Sequence, residues 1–262
     1  TVWKIRYLFS GDLLGQNIAT SFGLLDYKIP LFGLYGACST CGEALSLGAM
    51  CVAAGYADYV VSMTSSHFAS AEKQFRFPLE YANQRPKSAT WTVTGSGAFV
   101  LGKQKSSIRI SGITTGKIVD YGIKDSMNMG AAMAPAAADT ICQHFTDFDT
   151  TPQDYDRIVT GDLGVVGREI LLDLVQKRGF DIADLHEDCG IEIYAPKEQG
   201  TGAGGSGCGC SAAVLCSHIL GKMERKELSS VLFVGTGALM SPTSSQQGES
   251  IPGIAHLVHL VN

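Results

Sequence analysis

The feature that most constrains the fold is a repeated order of turn, helix and strand in the two halves of the chain. In the first half, Gly36-Ala37-Cys38 leads into a helix predicted over 40–54, and the strand Tyr59-Val60-Val61-Ser62 follows. In the second half, Gly207-Cys208-Gly209-Cys210 leads into a helix, and the strand Val231-Leu232-Phe233-Val234 follows. Strands that alternate with helices predict parallel sheets covered by helices. The repeat indicates a pseudo-duplicated α/β fold in which Cys38 faces the second-half loops across a shared crevice. The competing interpretation is the loose similarity that any α/β protein shows between its units.

Composition excludes several classes of protein. The chain has 262 residues, of which 45% are hydrophobic and 17% charged, so it can bury a large core. A net charge of -5 without a basic stripe argues against a nucleic-acid partner. No apolar run reaches the roughly 18 residues that a membrane-spanning helix needs. The 8 cysteines have irregular spacing, which favours a reduced cytoplasmic protein over a disulfide scaffold.

Cys38 is the strongest candidate for chemistry. It stands at the predicted start of a helix, where the positive end of the helix dipole lowers a thiol pKa and favours a nucleophile. With Cys41 it forms a Cys-x-x-Cys pair, a spacing that suits a redox dithiol or half of a zinc site. Cys208 and Cys210 would complete four thiolates if the halves face each other. The alternative, which we favour, is no metal, with Cys41 a small apolar residue beside a pocket cysteine.

Several further segments carry a resemblance to a known family. In the first half they are Gly11-Asp12-Leu13-Leu14, Leu34-Tyr35-Gly36-Ala37-Cys38-Ser39-Thr40, Thr64-Ser65-Ser66-His67-Phe68, Phe75-Arg76-Phe77-Pro78-Leu79-Glu80-Tyr81, Gln84-Arg85-Pro86 and Trp91-Thr92-Val93-Thr94-Gly95-Ser96-Gly97-Ala98. In the second half they are Thr160-Gly161-Asp162-Leu163-Gly164, His186-Glu187-Asp188-Cys189-Gly190 and Gly204-Gly205-Ser206-Gly207-Cys208-Gly209-Cys210. Together they resemble the stage V sporulation protein AD family, a branch of the thiolase and ketoacyl-synthase superfamily. The resemblance runs from near residue 8 to the end of the chain.

This resemblance implies a thiolase-like pseudo-duplicated α/β fold, layered α-β-α-β-α, with halves at 1–123 and 124–262. Only 37 residues precede Cys38, so the resemblance also implies that one N-terminal βα unit, including a central strand of the first sheet, is absent. The implied function is binding of dipicolinic acid (pyridine-2,6-dicarboxylate) for its uptake into the developing spore and its release at germination. The implied partners are the other SpoVA membrane proteins, and the implied location is cytoplasmic, peripheral to the forespore or spore inner membrane. A homodimer is expected by analogy with the superfamily.

The sequence predicts that catalysis is lost. Condensing enzymes need a cysteine thiolate together with His or Asn partners from second-half loops. The loop after the strand Arg157-Ile158-Val159-Thr160 carries Asp162 and no His, and the Gly-rich loop places Cys208 where His or Asn is expected. An acidic Asp162 disfavours a thiolate. Two alternatives remain: an acyltransferase that uses Cys38, and a scaffold for the membrane channel.

A flat aromatic dianion needs donors for two carboxylates and an apolar slot for its ring. We expect Cys38 and Cys208 to lie at the crevice and the donors to come from it: the helix-start N–H groups near Ser39 and Gly209, the hydroxyls of Ser39, Ser65, Ser66 and Ser206, His67, and Arg76 or Arg85. His67 has the alternative role of anchoring its loop, and the two arginines that of bracing theirs against Glu72 or Glu80. If calcium accompanies the ligand, Asp58 and Asp162 are its expected oxygen donors.

Overall fold

Residues 4–75 and 84–262 are described by the computed structural model. The strands are β1 Tyr7–Asp12, β2 Leu31–Gly33, β3 Tyr59–Ser66, β4 Trp91–Thr92, β5 Gly95–Gly102, β6 Arg109–Thr114, β7 Arg157–Thr160, β8 His186–Asp188, β9 Gly205–Ser206, β10 Ser230–Ala238 and β11 Gly253–Val261. The helices are α1 Ile18–Leu24, α2 Thr40–Ala53, α3 Phe68–Phe75, α4 Met129–Phe148, α5 Gly164–Gln176, α6 Cys189–Glu192, α7 Pro196–Gln199, α8 Cys208–Val214, α9 Leu220–Glu224 and α10 Pro242–Gln246. A π-helical stretch, Leu215–Ile219, joins α8 to α9.

Two mixed sheets repeat one strand order. The first is β2-β1-β3-β5, and the second is β8-β7-β10-β11 with β6 added beside β11. In each sheet the first three strands are parallel, and β5 or β11 runs antiparallel to its neighbour. The two halves are therefore built on one plan, which is the duplication that the sequence predicts.

The duplication extends to a motif that the sequence analysis does not align. Strands β1 and β7 hold the same place in their sheets, and at the carboxyl end of each the chain reads Gly-Asp-Leu, at Gly11-Asp12-Leu13 and at Gly161-Asp162-Leu163. Both aspartates are buried and accept backbone hydrogen bonds from nearby loops. The two carboxylates therefore fix the chain where it leaves equivalent strands.

The sheets correct two details of the predicted organisation. Strand β6 pairs with β11, so the chain passes from the first sheet to the second between residues 102 and 109, earlier than the predicted boundary at 123/124. Among the described residues, β6 has no counterpart in the first sheet. Strand β6 lies at the edge of the second sheet, beside β11. The equivalent position in the first sheet is the edge beside β5, and not the centre of the sheet as the resemblance implies. The absence of a βα unit itself stays a prediction.

Helices α2 and α8 lie between the two sheets. Helix α2 contacts β1 and β3 on one side and β10 and β11 on the other, while α8 packs on β3 and β5. The close approach depends on glycine: a Cβ on Gly42 would lie 2.5 Å from the carbonyl oxygen of His256. Helices α4 and α5 cover the other face of the second sheet, where Ile158, Leu232 and Leu257 are buried.

Candidate functional site

Cys38 lies where the first half meets the second. It belongs to a 3-10 turn, Ala37–Ser39, that leads directly into α2, and its side chain is buried. Ala37 has a φ of 53°, a left-handed conformation that is unusual for a residue with a Cβ. Cys38 packs with Leu13, Ala71 and Cys208, so the cysteine meets the second-half loop as the repeat predicts.

Beside Cys38 lies a cavity of about 350 Å³. Its walls are mainly apolar, with hydroxyl groups from five side chains, and the described lining residues are Leu13, Tyr35, Ala37, Cys38, Ala71, Phe75, Thr92, Met129, Ser206, Ala238, Leu239, Met240, Ser241 and Ser244. None of these described lining residues is a histidine, lysine, arginine or carboxylate. The described part of the cavity therefore suits a small, partly apolar ligand and supplies no strong general base next to the thiol.

Asp162 is a structural clamp. Its side chain is fully buried; Oδ2 accepts a hydrogen bond from Gly207 N at 2.7 Å, and Oδ1 accepts one from the Thr236 hydroxyl at 2.8 Å. These bonds tie the Gly-rich loop before α8 to strand β10. Asp162 is therefore not among the described residues that line the cavity, and its expected role as a calcium ligand stays a prediction.

The Cys208 thiol also forms a hydrogen bond within the protein. The thiol donates this bond to Ser65 O at 3.1 Å, and the residue is completely buried. Burial raises the pKa of the Cys208 thiol far above its usual range, with neighbouring Cys41 and Asp12 acting in the same direction. Cys208 therefore stays a neutral thiol against the Cys38 turn and is not a lining residue of the cavity.

The four serines expected at the crevice separate into two groups. Ser206 lines the cavity, in the short strand β9 that pairs with β4. The other three do not. The Ser39 hydroxyl donates to Gly36 O at 2.6 Å, and the Ser66 hydroxyl donates to Val93 O at 2.6 Å while accepting from Gly209 N at 3.1 Å. The side chain of Ser65 lies on the opposite face of β3 from that of Ser66, because successive side chains alternate across a strand.

Asp58 and His67 are not brought to the cavity either. Asp58 is exposed and precedes β3, so it lies roughly 25 Å from the carboxyl end of that strand at a rise of about 3.3 Å per residue. His67 is exposed at the start of α3, and its Nδ1 lies 3.3 Å from the Ser70 hydroxyl. The position of His67 fits the alternative role of anchoring its loop.

Of the two candidate arginines, Arg76 lies outside the described residues. Arg85 braces its own loop: its guanidinium lies 2.7 Å from the Glu72 carboxylate and 4.2 Å from the centroid of the Trp91 ring. Glu72 also accepts hydrogen bonds from the Thr92 N–H and hydroxyl at 3.2 and 3.0 Å. Because Thr92 lines the cavity, this buried pair positions one wall of it.

The sequence analysis does not single out the loop after β10, which supplies Leu239, Met240, Ser241 and Ser244 to the cavity. A capping box between Ser241 and Ser244 starts α10 and holds this wall in place. The Ser-Pro pair at 241–242 is the signal that could have found it, since Ser at the N-cap and Pro at the first turn mark a helix start. Tyr35 is a further lining residue that the sequence analysis does not single out, and burial together with nearby Asp12 raises its pKa.

The cysteines of the metal hypothesis do not form a metal site. Within residues 4–75 and 84–262, no group of three or more His, Cys, Asp or Glu side chains has the arrangement needed to hold an ion. Cys41 is fully buried, and desolvation raises its pKa to about 12. In the same ranges, no helix is long and apolar enough to cross a bilayer.

Comparison with solved structures shows the fold class to which the chain belongs. The chain matches 3-oxoacyl-[acyl-carrier-protein] synthase III from Aquifex aeolicus VF5 with a TM-score of 0.61 and 11% identity, over 100% of this chain and 78% of that one. It matches an OleA variant from Xanthomonas campestris, solved with lauric acid and lauroyl-CoA, with a TM-score of 0.64 and 14% identity, over 99% and 76% of the two chains. The protein is therefore a mixed α/β protein with a thiolase-like fold. Identities this low show the shared fold alone.

Comparison with known protein sequences identifies the family within this fold class. The model of the family "Stage V sporulation protein AD (SpoVAD)" matches residues 2–261. The protein of that name from Bacillus subtilis (strain 168) is 49% identical over 252 residues, which are 96% of this chain and 74% of that protein. This chain belongs to the stage V sporulation protein AD family, as its motifs predict.

Proposed function

We propose that this sporulation protein binds dipicolinic acid in the cavity beside Cys38 and catalyses no reaction on it. Membership of the family supports the role in sporulation. The observation that carries the proposal is the cavity itself: it adjoins a cysteine at a helix start, yet its described walls hold no histidine, amine or carboxylate. A condensing enzyme needs such groups to activate the thiol and to move protons.

The residues that stand at the expected partner positions support the loss of catalysis. Asp162 is committed to Gly207 and Thr236, and Cys208 is a buried neutral thiol. Neither can take a proton from Cys38 without breaking contacts that hold the Gly-rich loop. The site is therefore a binding site built on a catalytic framework.

The described walls of the cavity match the pyridine ring of dipicolinic acid better than its two carboxylates. Apolar walls from Leu13, Phe75 and Met240 suit the flat pyridine ring, and the hydroxyls of Tyr35 and Ser206 suit its carboxylate oxygens. The N–H groups at the start of α2 add partial positive charge. The described lining has no cation, so we propose that calcium enters with the ligand and neutralises its two carboxylates.

The alternative is an acyltransferase that uses Cys38. Two observations favour it: the thiolase-like fold, and the apolar cavity next to a cysteine whose preceding residue, Ala37, has a positive φ. Strained backbone occurs often at active sites. This alternative predicts a covalent acyl group on Cys38, whereas the binding proposal predicts none.

Calorimetric titration with dipicolinate, with and without calcium, tests the proposal. We expect saturable binding that is tighter with calcium and is lost in Cys38→Phe, because the phenyl ring fills the cavity. Ala53→Phe is the matched control, since it adds the same ring at the exposed far end of α2. Absence of heat under both conditions overturns the proposal, as does undiminished binding by Cys38→Phe.

We further propose that the protein acts at the forespore or spore inner membrane, together with the membrane proteins of the SpoVA complex. Family membership is what supports this assignment. Fractionation of sporulating cells checks it: the protein is expected in the membrane fraction when the complex is present and in the supernatant when it is deleted. Equal distribution in both strains contradicts it.

A further inference from the structure

One end of the molecule gathers exposed cations from segments that are distant in sequence. We call this set the basic end, and its members are Lys4, Arg6, Lys103, Lys105 and Arg109. Arg6 N donates a hydrogen bond to Tyr59 O at 2.9 Å, and Tyr59 lies opposite Gly102 in β5. Arg6 and Lys103 therefore stand on either side of the start of β3. They come from opposite ends of the first half of the chain, which is why the sequence shows no basic stripe.

Arg109 extends the basic end to the second sheet. It begins β6, which runs parallel to β7 and β10 because β6 and β10 are both antiparallel to β11. The amino ends of these parallel strands lie at one edge, and residues 103–108 connect β5 to β6 along it. Beyond β11 this edge becomes acidic, with Asp154 and Asp156 beside the start of β10. The positive surface therefore covers the end of the first sheet and stops within the second.

The protein's own acids do not neutralise the basic end. Among the described residues, none of its five cations forms an ion pair, whereas Lys177 and Arg178 each pair with an aspartate. Asp58 is the one acid in the three described segments that form this end, 4–6, 54–60 and 102–109. The whole chain has a net charge of -5, so the remainder of the molecule is strongly acidic. This separation of charge turns the basic end toward a negatively charged surface.

An exposed tyrosine lies among these cations. Tyr56 is 75% exposed in the turn between α2 and β3, and a Cβ on neighbouring Gly55 would lie 3.7 Å from Lys103 Nζ. Tyrosine, lysine and arginine each combine an apolar body with a polar tip, so they suit the boundary between water and lipid headgroups. A small anion needs an enclosed site, whereas these cations stand in a row along the ends of neighbouring strands. The arrangement therefore favours a bilayer surface as the partner.

We infer that the basic end rests on an anionic bilayer, with its cations at the level of the lipid phosphates. The inference rests on the proposed location at the spore membrane and adds a direct lipid contact to it. Such attraction decays within a Debye length of about 8–10 Å, so it supplements contacts with membrane proteins and does not replace them. The cavity lies at the other end of β1, since Arg6 and the lining residue Leu13 are roughly 23 Å apart at a rise of about 3.3 Å per residue. The ligand site is therefore held clear of the headgroups.

Flotation of the full chain with lipid vesicles tests the inference. We expect it to bind vesicles that contain phosphatidylglycerol at least about fivefold more than vesicles of phosphatidylcholine alone, and to be released at about 1 M salt, where the Debye length is about 3 Å. Lys103→Glu combined with Lys105→Glu is expected to reduce binding at least about fivefold. Lys124→Glu combined with Lys197→Glu is the matched control. It changes the net charge equally, at exposed positions away from the basic end, and is expected to bind as the wild type does.

Two results overturn the inference. One is equal binding to both kinds of vesicle, or binding to neither, which would leave an acidic protein surface as the partner. The other is an equal loss of binding in the two double variants, which would show that net charge alone decides. Glycerol phosphate in solution is expected to leave vesicle binding unchanged, and release by millimolar amounts of it would indicate a single phosphate site in place of a lipid surface.

The vesicle assay contains neither dipicolinate nor membrane proteins, so its failure is distinguishable from failure of the proposed function. Circular dichroism shows whether the Lys103→Glu and Lys105→Glu variant folds. If it does not, Lys103→Gln combined with Lys105→Gln removes the same two positive charges and is expected to reduce vesicle binding at least about twofold. Wild-type binding by the folded glutamine variant would contradict the inference.

Discussion

Asp162 illustrates how a polar residue at a predicted catalytic position serves the fold. Its neighbours are known from the structure alone, because Gly207 and Thr236 lie 45 and 74 positions away in sequence. A carboxylate that accepts hydrogen bonds from a backbone N–H and a hydroxyl in a fully buried place binds them more strongly than a neutral group does.

We predict that Asp162→Asn destabilises the protein by about 1–3 kcal/mol, because the amide nitrogen faces a donor and leaves it unsatisfied. Urea unfolding followed by circular dichroism measures the change. Asp184→Asn is the control: Asp184 is exposed, and its substitution is expected to change the unfolding free energy by less than about 0.5 kcal/mol. Equal effects of the two substitutions would show that the clamp contributes nothing.

At this scale the sequence predicts the site in part. Cys38 and Ser206 line the cavity, and both stand in motifs recognised from local pattern alone. Ser39 and Ser66 are misplaced because the same local pattern, a hydroxyl beside a turn, also suits a side chain that bonds its neighbouring backbone. Which of these outcomes holds depends on contacts between distant segments, which a single sequence does not reveal.

At the scale of secondary-structure elements, the packing of helix α4 on the second sheet places the imidazole of His144 in a buried position where it is neutral. His144 is buried between α4 and the second sheet; its Nδ1 lies 2.8 Å from the Thr114 hydroxyl and its Nε2 3.1 Å from the Tyr155 hydroxyl. Burial, helped by nearby His259 and opposed by Asp147, lowers the pKa of His144 to about 4. Burial also lowers the pKa of His186, beside Thr160, to about 3.

We predict that stability falls as the pH drops from about 6.5 toward 4. The unfolded chain binds protons to these histidines near pH 6.5 and the folded chain does not, so each costs about 1.4 kcal/mol per pH unit in that range. Asp188 opposes part of this loss, because burial raises its pKa to about 6 and the folded chain takes up its proton first. The free energy of unfolding against pH measures the balance.

His144→Gln is expected to flatten that pH dependence, while His218→Gln, at an exposed position, leaves it unchanged. A wild-type free energy of unfolding that is constant from pH 6.5 to 4.5 would contradict the assignment of neutral buried histidines.

The elements themselves follow from local pattern where it is strong. The predicted helix over 40–54 is α2, Thr40–Ala53. Over residues 12–22 local composition predicts a helix, but Asp12 ends β1 and the α-helix begins only at Ile18. Leu13 and Leu14 favour a helix by composition, but sheet pairing of Asp12 with Ser65 overrides that preference.

At the scale of the whole molecule, the two halves are held together by close backbone contact as well as by apolar burial. A Cβ on Gly235 of β10 would lie 2.8 Å from Gly42 N and 2.9 Å from Ser39 O. This contact seats the start of α2, and with it Cys38, against the second sheet. Glycine is needed here because any side chain would separate the two elements.

We predict that Gly42→Ala destabilises the protein by about 1–3 kcal/mol, since the added methyl meets backbone atoms that have no freedom to move. Gly221→Ala is the matched control. It lies in α9, where the nearest atom to an added Cβ is the flexible end of Arg225 at 3.4 Å, so alanine is expected to be neutral or to stabilise by up to about 1 kcal/mol. Thermal unfolding distinguishes the two, and a stabilising Gly42→Ala would contradict the close approach.

The most direct test of binding without catalysis is native mass spectrometry of the full chain mixed with calcium, dipicolinate and an acyl-CoA. The account predicts a noncovalent dipicolinate complex that disappears on denaturation, with no acyl mass added to Cys38. An acyl adduct on Cys38 that survives denaturation, without a dipicolinate complex, would contradict it and establish the acyltransferase alternative.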